Sequence, residues 1–465
     1  MPARPWISGV LTLLVCGFCA TIVFAQLEIR RVDPREFGLD VPSGPVSEGG
    51  QTVTTTDEAG SPVIGKTHVN VGDHRIVLLS DGQLVARHQR DAMPTERPFE
   101  PIAKKILAER LLGELPGFRV RQTGRYLYAY NTSEEFAAVA GRILATMFPG
   151  VVAYAKAQKI ETHEPEVPLV ALMFRTEQQF QRYQRMPPGV VAYYNTLTNR
   201  VVMYEESRLA KVKRELAIQQ SLATIAHEGA HQILHNIGVQ RRLSIWPMWL
   251  SEGMAEFFAP TTFGKRLKWK GAGQVNDMRM FELELYLKSR EAGQPDGQML
   301  EHTVSAARLT STGYASAWSL THYLAKTKRA DFNNYVREIS RLKPLEASGE
   351  IVSPGVIPSN LTFFKKHFGE DLGDLNNRLV LHLKKLPYND PFAEWPHFVA
   401  TVAVPNGRKA KRDANIFHSP DMAQKWIQEA LETVTAEQRS SAQASVREFP
   451  SRLVATRYAR TWLGN

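Results

Sequence analysis

The 465-residue chain has almost no cysteine. Its two thiols, Cys16 and Cys19, both fall in the first 25 residues. The remaining chain therefore holds no disulfide and no Cys-ligated zinc finger, and its core must suffice alone. Neither cysteine follows a small residue, since Val15 and Phe18 precede them, which argues against a lipoprotein site. Beyond residue 25 no further long apolar run is apparent, so the body is expected to be soluble. No internal repeat occurs at solenoid periods. Acidic residues are the minority, 47 against 57 Lys and Arg, for a net charge of +10. That balance favours acidic partners such as cell-wall polymers, anionic lipid or acidic peptides. Nucleic acid is not expected, because Gly-rich phosphate loops and aromatic-basic patterns are lacking.

The first 25 residues carry one charge, Arg4, ahead of apolar stretches through Leu11–Val15 and Ala20–Ala25. Val23-Phe24-Ala25 before Gln26 fits signal-peptidase cleavage after Ala25. An uncleaved anchor is the alternative, and either outcome places the body in the secreted, periplasmic or envelope compartment.

The chemistry-bearing pattern is His227-Glu228-Gly229-Ala230-His231, followed by Trp249-Leu250-Ser251-Glu252-Gly253-Met254-Ala255-Glu256. On a helix, His227 and His231 stand one turn apart on one face, so both imidazoles reach a single ion. Glu228 is placed to take a proton from water at the metal rather than to bind the metal. Glu252 supplies the third ligand and leaves a fourth position open, as a catalytic zinc requires. Glu256, one turn on, could replace Glu252; the favoured reading gives it an orienting role against a ligand histidine. His235 lies about 12 Å along the axis from His227, too far to share its ion. A third histidine six residues after His231, as metzincins need, is missing because position 237 is Ile. The helix is expected over 213–236, from Leu222, Ile225, Ala226, Ala230, Ile233, Leu234 and Ile237, with Gly238 as its stop. Gly229 inside it costs about 1 kcal/mol relative to Ala and points to close packing. A second helix starts at Trp246-Pro247 and ends before Pro260.

These residues resemble the gluzincin branch of zinc peptidases. Trp249–Ala255 looks like the Trp-Leu-Asn-Glu-Gly-Phe-Ala stretch of the alanyl-aminopeptidase group, with Ser251 and Met254 as departures and a ligand spacing two residues longer. The Gly-x-Met-Glu-Asn signature of that group is absent, so exopeptidase activity is unsupported. A closer resemblance is to secreted bacterial proteins with a peptidase-MA-like domain, over roughly residues 118–386. It implies one Zn2+ per chain on His227, His231 and Glu252, with Glu228 as general base. It also implies Tyr314, in Thr312-Gly313-Tyr314-Ala315-Ser316-Ala317-Trp318, as hydrogen-bond donor to the oxyanion. The alternative is that Tyr314 and Trp318 are core aromatics.

The expected fold is α+β: a zincin-like domain with a mixed sheet, an active-site helix and a mainly helical C-terminal half. Residues 26–66, rich in Gly, Pro, Ser and Thr, read as a flexible leader. Residues 67–116 read as a lead-in with a hairpin about Ser80-Asp81-Gly82 and a helix over 102–112. The catalytic domain is set at 117–343, with a helical extension to 389. Within it, strands are expected near 118–130, 167–174, 190–194 and 201–205, the last as the substrate-holding edge. Helices are expected at 134–147, 177–185, 276–289, 314–328, 331–342 and 361–386, with a loop at 344–358. Residues 390–465 read as an appended helical region, with Arg408–Arg412 as a solvated loop. The expected function is zinc-dependent hydrolysis of peptide or protein substrates, as an endopeptidase. Rivals are a zinc amidase acting on cell-wall peptide and a non-catalytic binding module with a structural zinc.

Overall fold

The computed structural model describes residues 27–57, 60–206, 214–262, 268–289, 298–349, 359–406 and 409–464. The expected signal segment, with Cys16 and Cys19, lies outside the described residues. The fold is α+β, and the half that follows the central sheet is mainly helical.

A five-stranded mixed sheet organises the middle of the chain. Its order is Ala192–Asn195, Arg200–Tyr204, Leu169–Phe174, Tyr126–Tyr130 and Arg119–Thr123. Leu169–Phe174 runs parallel to both its neighbours, whereas the two outer strands are antiparallel to theirs. Alternation sorts the side chains. Tyr126, Tyr128, Leu169, Ala171, Val201 and Met203 face the large core shared with the helices. Leu127, Ala129, Val170, Leu172, Phe174 and Val202 face a smaller core beneath Lys104–Glu114 and Glu177–Tyr183. The strand expected to be the edge, 201–205, is therefore interior, paired on both sides. The edge is Ala192–Asn195, because the hairpin through Asn195–Asn199 turns its first strand outward.

Against the large-core face lie helices Glu134–Ala157 and Arg214–Asn236. The first is capped by Ser133, whose Oγ accepts from Phe136 N at 3.2 Å. It continues ten residues past the expected end, through Pro149. By length and composition it could cross a membrane, contrary to the expected lack of a second apolar run. Here its apolar stripe, including Ile143, Leu144, Met147 and Val151, is buried in the core. Met248–Phe258, Asp277–Ser289, Ser311–Thr327, Arg329–Ile339, Leu361–Phe368 and Leu372–Leu383 follow as expected, and Gln298–Ser305 is an unanticipated helix. Residues 346–348, expected as loop, form a short strand.

Two regions differ from the composition-based reading. Where a flexible leader was expected, Ile29–Arg31 pairs with Glu346–Ser348, and Val46–Glu48, Thr52–Thr56 and Pro62–Val71 enter a six-stranded antiparallel sheet. Val32, Val41 and Val53 are buried, so scattered β-branched residues outweigh the Gly and Pro content. Where an appended helical region was expected, His397–Asn406, Lys409–Phe417 and Gln443–Phe449 form an antiparallel sheet. Helix Pro420–Glu432 contributes Ala423 and Ile427 to one small core on this sheet, and Arg452–Leu463 contributes Ala455 and Ala459 to another. The basic cluster at 409–412 is accordingly strand rather than loop, and residues 407–408 lie outside the described ones.

Candidate metal centre

Arg214–Asn236 lies across the sheet next to its edge strand, and polar contacts fix its C-terminal half. Gln232 Nε2 donates to Val170 O at 3.0 Å and Asn199 O at 2.7 Å. The amides of Asn199 and Asn236 exchange hydrogen bonds of 2.8 and 2.7 Å. Asn199 sits at φ +58°, a left-handed turn conformation that Asn tolerates. Gly238 ends the helix at φ +80°, as expected. Gly229 lies against Leu144: a Cβ there would stand 2.4 Å from Leu144 Cδ2. Packing thus gives a reason for this glycine.

The second helix, Met248–Phe258, is anchored by buried Trp249, Leu250, Phe257 and Phe258. Its Gly253 permits close approach to Ser311–Thr327, since a Cβ would fall 2.7 Å from Ala317 O and 2.2 Å from Thr321 Oγ1.

These two helices bring three donors together. His227 Nε2 is 3.1 Å from Glu252 Oε2 and 3.2 Å from His231 Nε2, and His231 Nε2 is 3.5 Å from the same carboxylate oxygen. Ligands about 2.0–2.1 Å from one tetrahedral ion stand about 3.4 Å from each other, so the spacing fits a shared cation. His227, His231 and Glu252 form a candidate metal-binding group, with His227 buried. Burial opposes charge on His227, but Glu256, Glu252 and Glu228 overcome it and raise its pKa well above the ordinary value. Burial likewise disfavours ionised Glu252, yet His231 and His227 hold its pKa far below the carboxylate range. The pocket is built for a negative carboxylate and positive charge beside it.

Glu256 is not grouped with the three donors. Its Oε1 lies 3.0 Å from His227 Nδ1, on the far side of the ring. Asn276 Nδ2 donates to Glu256 Oε2 at 2.8 Å, and Arg279 Nη2 donates to Oε1 at 2.6 Å. Against the cost of burial, Arg279 and His227 pull the Glu256 pKa down to about 2. Arg279 also pairs with Glu282 at 2.7 Å and stacks its guanidinium 5.3 Å from the Tyr314 ring centre. Neither Asn276 nor Arg279 was singled out in the sequence.

Glu228 sits beside the donor cluster and accepts the Tyr194 backbone N–H at 2.8 Å. Burial raises its pKa, against the pull of His227 and His231. Tyr194 N–H points away from the paired strand, toward Glu228, and alternation along the strand gives Ala192 the same outward sense. Tyr194 is further held by its hydroxyl, 2.9 Å from Asn199 Oδ1, and by stacking on His235 at 5.4 Å. His235 thus packs against the edge strand. Tyr314 and Glu228 line one cleft of about 300 Å³ with Val190, Ala192, His227 and Arg279. The Tyr314 ring centre is 6.0 Å from that of His227, whereas Trp318 is fully buried in the core. Burial and the carboxylates of Glu252, Glu228 and Glu256 push the Tyr314 pKa up, keeping its hydroxyl protonated.

Residues 221–346 match a family model described as a protein of unknown function (DUF1570). The match spans His227–His231, the helix Met248–Phe258, the Glu256 clamp and Tyr314, and it brings no activity with it. No curated protein matches the chain.

Proposed function

We propose that the chain is an exported zinc-dependent peptidase of gluzincin type that cleaves internal peptide bonds. The observation that carries this reading is the convergence of His227, His231 and Glu252 beside Glu228, with His227 and Glu228 lining an open cleft. Two imidazoles and one carboxylate are a donor set suited to zinc, and three protein donors rather than four suit catalytic rather than structural use. Bound there, zinc supplies Lewis acidity toward the substrate carbonyl and toward water.

The protein's own groups do the rest. Glu256, its Oε1 3.0 Å from His227 Nδ1, holds charge behind the ring and so presents Nε2 to the ligand position. Glu228 takes a proton from the attacking water and passes it to the leaving amine, a double duty that suits a carboxyl whose pKa is raised. The Tyr194 amide fixes its orientation. Tyr314 stays a phenol and donates a hydrogen bond to oxygen developing negative charge. An extended substrate adds to the Ala192–Asn195 edge of the sheet, where the Ala192 N–H and C=O face away from the paired strand. The positive net charge suits substrates or surfaces of acidic character at the cell envelope.

The test is a peptide-library digest by wild type beside Glu228→Gln, both with measured metal content. Cleavage by wild type alone, at equal metal content, supports the reading. Intact metal and no cleavage of any peptide by either protein would favour a binding module with a structural ion.

A further inference from the structure

A second group of ligand-type side chains lies outside the cleft, where the C-terminal sheet meets the main body. Asp390 ends the segment leading out of Leu372–Leu383, His397 opens the first strand of the sheet, and His418 follows the second. The register pairs Phe398 with Phe417, which sets 397 opposite 418. Their rings stand 4.4 Å apart. One ligand atom from each of Asp390, His397 and His418 lies within 4.8 Å of the other two. Donors sharing one ion stand roughly 3.4 Å apart, so the three must draw together when an ion binds.

The hydrogen bonding leaves lone pairs facing inward. His397 is fully buried, and its Nδ1 donates to Trp395 O at 2.7 Å, so Nε2 is the unprotonated nitrogen. That Nε2 is buried with no hydrogen-bond partner among the described residues, and His418 Nδ1 is in the same condition. Two buried, unpartnered imidazole nitrogens are costly unless something accepts their lone pairs. Asp390 is already oriented, accepting from Phe392 N at 2.8 Å and from Arg452 at 2.7 Å. Arg452 also binds Glu284 at 2.6 Å. The two carboxylates and one guanidinium leave one net negative charge beside the two rings, which favours a divalent cation.

We propose that Asp390, His397 and His418 form a second metal site, taking a borderline transition ion such as zinc. Two nitrogens and one carboxylate oxygen disfavour magnesium and calcium. The site is structural in position. It joins the entry segment to both strands of the C-terminal hairpin. It also abuts Phe281, whose ring lies 4.7 Å from His418 and 4.5 Å from Phe392. Phe281 belongs to the same helix as Arg279, the residue that holds Glu256.

The proposal is independent of the peptidase reading, and the test separates them. The full chain carrying His231→Ala removes a ligand of the cleft site; it is stripped with chelator and titrated with Zn2+, then compared with His231→Ala/His418→Gln. His418 is only partly buried, so its replacement spares the core, and far-UV circular dichroism checks both proteins. The expected result is about one zinc per chain in the first protein, with binding weakened at least tenfold in the second. Zinc should raise the thermal midpoint of the first protein and leave that of the second unchanged. A folded His231→Ala protein that binds no zinc, or binds it equally well after His418→Gln, overturns the proposal. Asp390→Asn in the same background is the confirming variant if His418→Gln fails to fold.

Discussion

Glu228 and Glu252 stand on neighbouring helices at one cluster of histidines, yet their proton affinities move in opposite directions. Burial dominates at Glu228 and raises its pKa, while the two imidazoles dominate at Glu252 and depress it. Divergent carboxyls of this kind divide into proton carrier and ligand. Glu228→Gln should therefore keep the metal and lower kcat by about 10²–10⁴-fold or more, read by steady-state kinetics with metal analysis. Retained turnover would remove Glu228 from the role of base. At Glu256 the expected effect is on the metal itself. Arg279→Met leaves the ligands in place but frees the carboxylate behind His227, and zinc affinity should fall about 10–100-fold in competition with a chelator. An unchanged affinity would mean the Glu256 clamp is irrelevant to the ligand. The ligands were legible in the sequence because the helical period fixes His227 against His231. Asn276 and Arg279 were not, because their contacts with Glu256 join separate elements that share no period to read.

At the scale of elements, the site depends on how closely the two ligand helices approach their supports. Both glycines of the motifs mark such approaches, but with different neighbours. At Gly229 the obstacle is the flexible end of Leu144, and an added methyl also gains about 1 kcal/mol of helix propensity. At Gly253 it includes the Ala317 carbonyl, which moves only with its helix. Gly253→Ala should cost about 2–3 kcal/mol, and Gly229→Ala clearly less, as measured by urea unfolding. Equal costs would contradict this account of the packing. Most helices around the site, though not Gln298–Ser305, and most central strands were legible from apolar period alone. The edge strand was misassigned because a hairpin's sequence does not say which arm faces outward; that follows only from Arg200–Tyr204 pairing with Leu169–Phe174.

For the molecule as a whole, the long-range contacts that the composition concealed hold the N-terminal sheet to the site. His68 contacts Arg242 O at 3.0 Å, and Arg242 in turn donates to Gly82 O at 2.9 Å and Leu197 O at 3.0 Å, bracing the hairpin turn beside the cleft. Burial pulls the His68 pKa from 6.5 to about 4. Between those values the unfolded chain binds a proton that the folded chain refuses, so stability is full above pH 6.5 and is lost as pH falls toward 4. The contribution is on the order of 2 kcal/mol, and His68→Gln should flatten the fall of the urea midpoint over that window. An unchanged slope would show that His68 does not carry it. The hairpin about Ser80-Asp81-Gly82 was legible, but the strands before residue 72 and the C-terminal sheet escaped the sequence reading for one reason. Their apolar residues are spread thinly among Gly, Pro and charged side chains, and their partners lie far along the chain. The central claim is that one metal ion is held by His227, His231 and Glu252, and the most direct measurement is zinc content by mass spectrometry of wild type beside His231→Ala. The account predicts about one zinc fewer per chain in the variant, whatever the wild-type total. Equal zinc in the two folded proteins would contradict it.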